Sequence, residues 1–164
     1  MSSFEIRFSG LWTYESGNSS ERLPLPRLSD RGDHVHGRLE IEINGLRLPY
    51  LGYFGLDDVC FNEWVFQLHS ALGTLRSASR IGHTYDEGEQ GQPAFLFERE
   101  DDSLFVSIVD SELSDGVADS DWQRVACSFT DFECSVATFL SEFRQHLRTQ
   151  APTFAAEWWS RIVE

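Results

Sequence analysis

A chain of 164 residues has the length of one domain, and its 41% hydrophobic and 13% aromatic content excludes a wholly disordered polypeptide. Acids number 27 against 13 bases, a net charge of −14, and every base is Arg. The lack of Lys excludes a lysine Schiff base, a lysine general base and a P-loop phosphate site, and the acidic surplus argues against a nucleic-acid-binding surface.

Residues 4–14 alternate. Phe4, Ile6, Phe8, Trp12 and Tyr14 share one parity, with Glu5, Arg7, Ser9 and Thr13 on the other. This predicts a half-buried strand with Gly10 as a bulge point. Residues 15–36, with Pro24, Pro26 and Gly32, read as a long surface loop. Leu39, Ile41 and Ile43 then alternate with Glu40 and Glu42, and Asn44-Gly45 precedes Leu46, Leu48 and Tyr50. Asn-Gly between alternating runs is a strong hairpin signal, because both turn residues must accept positive φ. A two-residue loop pairs 43 with 46, 41 with 48 and 39 with 50, and sets Glu42 opposite Arg47.

Asp57-Asp58 offers an N-cap, and Phe61, Trp64, Val65, Leu68, Leu72 and Leu75 recur at helical spacing, predicting an amphipathic helix over 58–78. Residues 81–93 are Gly-rich and polar. Residues 94–100 and 103–109 form a second hairpin around Asp101-Asp102, with Phe95 and Phe97 opposite Ile108 and Val106. An acidic loop over 110–121 and a short strand over 122–129 follow. Thr130-x-x-Glu133 has the form of a capping box, and Phe132, Val136, Phe139, Phe143 and Leu147 mark a helix over 131–149. Pro152 interrupts it, and 154–162 form a short terminal helix. The expected fold is a single α+β domain over 1–164: an antiparallel β-sheet of about five or six strands with two main helices and a short C-terminal helix packed on it.

The opening residues carry no apolar signal core, and the longest apolar run, Ala94 to Phe97, is far short of the ~20 residues of a membrane span. Cys60, Cys127 and Cys134 form no C-x-x-C pair, so they read as reduced, mostly buried thiols. A cytoplasmic protein without membrane association is expected.

The charge is concentrated. Residues 86–121 hold twelve acids and one base, Arg99, a net −11. A solvated edge that keeps the sheet from pairing explains such a segment. So does a face that steers a basic protein partner, through Asp86, Glu87, Glu89, Asp101, Asp102, Asp110, Glu112, Asp115, Asp119 and Asp121, with Trp122 as an aromatic anchor. A divalent-cation loop at Asp110-x-Glu112-x-x-Asp115-Gly116 does not match, because an EF-hand Gly at position 6 would set Ser111 and Leu113 at positions 1 and 3.

Catalytic motifs are lacking: no G-x-S-x-G, G-x-G-x-x-G or H-E-x-x-H occurs. His34 and His36 at i and i+2 would share a face on a strand and could hold a metal. No third ligand is signalled nearby and the run lies beside a turn, so a solvated loop is expected, with no metal and no cofactor. Arg31-Gly32-Asp33 reads as a chance turn. His69 and His146 read as structural or surface residues. His83 and Tyr85 beside Asp86 and Glu87 could form an acid–base set, but no nucleophile accompanies them. Cys127 and Cys134 are expected to be packed. Trp158 and Trp159 point about 100° apart on a helix, so one ring is expected in the core and the other exposed, as a binding anchor or a contact between two copies of the chain.

The run Phe95-Leu96-Phe97-Glu98-Arg99-Glu100-Asp101-Asp102-Ser103-Leu104-Phe105-Val106-Ser107-Ile108 is strand, acidic turn, strand, and Thr130-Asp131-Phe132 later opens an amphipathic helix. Across roughly 36–149 this pattern of elements resembles the small acidic immunity proteins of bacterial polymorphic-toxin and contact-dependent systems. The resemblance implies a non-catalytic protein that binds a cognate toxin domain and occludes its active site. That class has no universal functional residues, so none is carried over. A small enzyme built on His83, Tyr85 and carboxylates, or an acidic mimic of nucleic acid, are the alternatives. The mimic is disfavoured because the charge sits in loops and turns.

Overall fold

Two antiparallel sheets carry the strands of the computed structural model, which describes residues 3–15, 18–30 and 33–163. The first contains β1 (Phe4–Glu15), β2 (Asn18–Pro24), β3 (Val35–Ile43), β4 (Leu46–Arg47) and β5 (Val59–Cys60). Its order is β2-β1-β3-β4, with β5 pairing the other end of β3. The second runs β6 (Arg80–Tyr85), β7 (Ala94–Glu100), β8 (Ser103–Val109) and β9 (Val125–Ser128) in sequential order. Three helices complete the fold: α1 (Phe61–Ser77), α2 (Phe129–Gln150) and α3 (Ala155–Val163). The antiparallel α+β class is as expected, with the strands divided between two sheets rather than gathered in one. Two segments read as loops contribute strands. Residues 15–36 supply β2, one turn of 3-10 helix at Leu25–Arg27 and the start of β3. Residues 81–93 begin within β6. Edge strands such as β2 need only backbone pairing on one side, so a polar sequence can form them without apolar alternation.

The turn chemistry is realised. Asn44 and Gly45 adopt φ of 53° and 81°, Ile43 pairs with Leu46 and Glu42 with Arg47. Leu48 N–H still donates to the Ile41 carbonyl at 2.8 Å. The ladder then stops: Tyr50 takes φ of 63°, is exposed and does not pair with Leu39. The second hairpin keeps its whole expected register, with Phe95 across from Ile108 and Phe97 across from Val106. The helix starts shift. Ser128, not Thr130, caps α2, its hydroxyl accepting from Asp131 N–H at 3.3 Å. Cys60 occupies the N-cap position of α1 with no side-chain cap bond, so neither Asp57 nor Asp58 caps that helix.

Aromatic stripes on the helices join the sheets. On α1, Phe61 lies against Phe8 of the first sheet and Trp64 against Phe95 of the second. On α2, Phe132 meets Phe4 of the first sheet at 5.1 Å between centroids and Phe97 of the second at 6.1 Å. Asn44 Nδ2 donates to the Ala126 carbonyl at 2.8 Å, a direct bond between the sheets. Trp158 of α3 closes the same core beside Phe143. Trp158 and Trp159 are both buried, which corrects the expectation that one would be exposed. Helical spacing gave them different directions, but α3 packs against both α1 and α2, so two directions find cover.

Candidate functional site

A β-bulge builds the most functional-looking corner of the molecule. Along β1, Phe8 stands across from Leu39 and Ser9 from Arg38, but Trp12 stands across from His36. Three steps on β1 thus match two on β3, with Gly10 at φ of 60° inside the extra residue. One inserted residue moves every later side chain to the other face. Phe4 and Phe8 therefore face the core, while Trp12 joins the face that carries Arg38, Glu40 and Glu42. This corrects the single stripe read over 4–14. Thr13, shifted inward, is fully buried, and its hydroxyl donates to the His34 carbonyl at 2.9 Å.

His36 is central to this face. Its ring stacks on Trp12 at 4.8 Å and lies edge-on to Tyr14 at 5.1 Å. Its other neighbour across the sheet is Cys60 of β5. His34, two residues earlier, stacks its ring on His36 at 5.9 Å and sets Nδ1 3.7 Å from Cys60 Sγ. His34, His36 and Cys60 each offer a ligand atom, and these lie within 4.8 Å of one another. The expected solvated loop at 33–36 is thus corrected: His36 is only 8% exposed and belongs to β3.

The surrounding polar groups are ordered. His36 Nδ1 lies 2.7 Å from Asp58 Oδ1, and Arg22 holds the other Asp58 oxygen at 3.2 Å. Arg22 also lies over the Trp12 ring, and Trp12 Nε1 donates to the Asp57 carbonyl at 3.1 Å. Burial lowers the His36 pKa below its ordinary value, against the Asp58 hydrogen bond that raises it. The neutral ring then donates from Nδ1 to the carboxylate and leaves Nε2 as a bare acceptor. That atom is buried with no hydrogen-bond partner among the described residues. Burial pushes the Cys60 thiol up to about 11, opposed by the backbone N–H groups of Glu63 and Asn62.

A cavity of about 370 Å³ opens over these groups, lined also by Tyr53, Phe54, Glu63, Gln67, Tyr85, Glu87 and Glu89. Burial raises the Tyr85 hydroxyl, with the Glu87 charge adding to it. Burial likewise raises the Glu87 carboxyl to about 6, helped by the charges of Glu63 and Glu89. Tyr85, Asp86 and Glu87 from the expected acid–base set line this cavity. His83 does not: it sits 3.1 Å from Gln67 Oε1, and burial lowers its pKa.

The acidic residues form two groups rather than one face. Asp101 and Asp102 turn the β7–β8 hairpin at one end of the second sheet. Residues 86–93 and 110–121 lie at the other end, about 20 Å away along seven-residue strands. Several of these acids bind backbone. Asp86 accepts from Gly88 N–H, Glu112 N–H and the Ser111 hydroxyl; Asp115 accepts from Gly91 N–H; Asp110 accepts from Ala118 N–H. Glu98 and Glu100 are paired by Arg124. Glu89, Glu112 and Asp121 are exposed. Trp122 is only 6% exposed, which corrects its expected role as a surface anchor. Exposed apolar residues lie elsewhere, among them Phe54 at 76%, Val117 at 72% and Leu113 at 69%. Their loops converge, because Tyr50 donates to Asp119 and Phe54 shares the cavity wall with Glu87 and Glu89. No helical or strand periodicity marks 49–58, so the sequence carried no signal for Phe54.

His69 and His146 are exposed, as expected. Cys127 is buried as expected but Cys134 is exposed. Arg31 and Gly32 of the Arg31-Gly32-Asp33 turn lie outside the described residues. No described helix is long and apolar enough to cross a membrane. No protein-family model matches the chain, and no match was found among curated proteins or solved structures.

Proposed function

We propose that the protein is a non-catalytic, acidic binding protein of the immunity type, which docks a basic cognate toxin domain and occludes its active site in the cytoplasm. The observation that carries this reading is the loop cluster at one end of the fold. Phe54 and Leu113 stand out there as exposed apolar side chains among Glu89, Glu112 and Asp121. A large apolar group surrounded by charge is the form of a binding anchor with a polar rim. The sign of the rim calls for a cationic partner, and attraction between the two raises the association rate.

Loops 86–93 and 110–121 are braced by their own carboxylates, so the anchor is presented on a preformed surface. Preorganisation of this kind reduces the entropy lost on binding. The test is a pull-down of the basic partner with the purified protein, followed by affinity measurement on the purified pair. Phe54→Ala is expected to weaken binding about 30-fold or more, a loss of about 2 kcal/mol, without changing the fold. Unchanged affinity for both Phe54→Ala and Leu113→Ala would remove this surface from the interface.

A further inference from the structure

We propose that His34, His36 and Cys60 bind one divalent transition-metal ion, zinc by the chemistry of the donors, with a fourth position open to the cavity. The inference does not depend on the binding role above. Two imidazoles and one thiolate form a borderline-soft set that suits Zn²⁺ and disfavours Mg²⁺ or Ca²⁺.

The geometry is close to that of such a site. Tetrahedral zinc with ordinary Zn–N and Zn–S bonds separates nitrogen from sulfur by about 3.6 Å. His34 Nδ1 and Cys60 Sγ are 3.7 Å apart. His36 completes the triangle, with all three ligand atoms within 4.8 Å. Its Nδ1 is already engaged by Asp58, so Nε2 is the nitrogen left to ligate. A carboxylate that accepts from the far nitrogen of a ligating histidine fixes the tautomer and raises the basicity of the near one. The same atom, Nε2, is buried without a hydrogen-bond partner among the described residues. An unsatisfied buried acceptor costs stability, and a metal ion would satisfy it.

The ligands are also held in advance. Thr13 donates to the His34 carbonyl, Asn62 Oδ1 accepts from Val35 N–H at 2.9 Å, and Trp158 Nε1 donates to the Asp33 carbonyl at 3.0 Å. Three different elements thus fix the 33–35 backbone. Cys60 is fixed by the β3–β5 ladder and by its place at the start of α1. On binding, the Cys60 S–H bond breaks, the proton leaves to solvent, and the sulfur pair forms the bond to the metal. No oxidant or reductant is required. Glu63, Glu87 and Glu89 around the cavity favour entry of a cation.

The experiment uses the full chain, freed of metal with a chelator and titrated with Zn²⁺ against a chromophoric competitor, then with Co²⁺ to record its spectrum. One Zn²⁺ per chain is expected, with the thiolate-to-cobalt charge-transfer band and the strong visible absorption of tetrahedral Co²⁺. Cys60→Ser and His34→Ala should each weaken binding about 100-fold or more and abolish the band, and Asp58→Asn should weaken it about 10-fold to 100-fold. Cys134→Ser should change nothing. His34 is exposed, so His34→Ala tests the ligand set even if Cys60→Ser folds poorly. Weak binding at several equivalents, untouched by Cys60→Ser and His34→Ala, would assign the metal to surface carboxylates and overturn the site. So would a cobalt spectrum without a thiolate band.

Discussion

The rings of Trp12 and His36 stack at 4.8 Å with planes 26° apart, across a bulge that turns Trp12 away from the face shared by Phe4 and Phe8. The stack depends on close backbone approach at Gly37. A Cβ there would meet Leu11 Cδ2 at 2.8 Å, the Ser9 carbonyl at 3.0 Å and the Gly10 carbonyl at 3.2 Å. Gly37→Ala must therefore push the bulged strand outward. We expect a loss of about 1–3 kcal/mol, read as a lower urea midpoint. A midpoint equal to that of wild type would show that the bulge yields without cost.

The core is held through Phe143. Its ring is stacked on Phe61 at 4.9 Å and touches Phe8 at 5.3 Å and Trp158 at 5.8 Å, so it joins α2 to the first sheet, α1 and α3. Phe143→Ala should cost about 3–5 kcal/mol, whereas truncation of Phe66, exposed on α1, should cost well under 1 kcal/mol. Chemical denaturation of the two variants side by side distinguishes these values.

Stability should depend on the protonation of Glu87. Burial, and then the charges of Glu63 and Glu89, raise its carboxyl from an ordinary 4.5 to about 6 in the folded protein. A carboxyl raised on folding contributes stability that is present below about 4.5 and is lost as pH rises through about 6. Glu87→Gln should therefore be more stable than wild type above pH 6, by up to about 1 kcal/mol once solvent screening is allowed for. The advantage should vanish below about pH 4.5. Urea midpoints of chelator-treated protein between about pH 4 and pH 7 check both limbs, and a pH-independent difference would contradict the assignment.

The two acidic ends should act differently on a basic partner. Glu89, Glu112 and Asp121 lie in the loops at the end of the second sheet where Phe54 and Leu113 are exposed, while Asp101 and Asp102 lie about 20 Å away at the hairpin turn. That separation is about two Debye lengths at 0.1 M salt. Reversal to Lys at the first three positions should slow association with the toxin domain about 10-fold at that salt, and reversal at Asp101 and Asp102 far less. The difference should shrink towards 0.5 M salt. Stopped-flow traces that respond equally to both sets would locate the partner elsewhere.

The second hairpin was legible in full from residues 94–109, because its apolar alternation and its acidic turn specify the same register. The first was legible only as far as Leu48, since nothing in the alternation says where the chain will leave the sheet to form the 49–58 loop. The amphipathic stripes of α1 and α2 were clear, but their starts were not. Asp58 has the chemistry of a cap, yet it is turned to His36 and Arg22, partners 22 and 36 residues away.

What the sequence determined by itself is therefore everything that neighbours in the chain can specify: an antiparallel α+β chain, two hairpin turns, two helical stripes, and the acidic weight of 86–121. The tertiary structure alone decided how those parts face one another. One extra residue at Gly10–Leu11 reverses the side of the sheet on which Trp12 stands, and a two-residue ladder sets Cys60 across from His36. Period-two alternation reports which residues share a face only while the strand is unbroken, and backbone pairing of β5 to β3 leaves no mark on side-chain composition. The His34–His36–Cys60 cluster arises at the meeting of both effects, so it was visible in the sequence as two histidines and could become three ligands only in the folded chain.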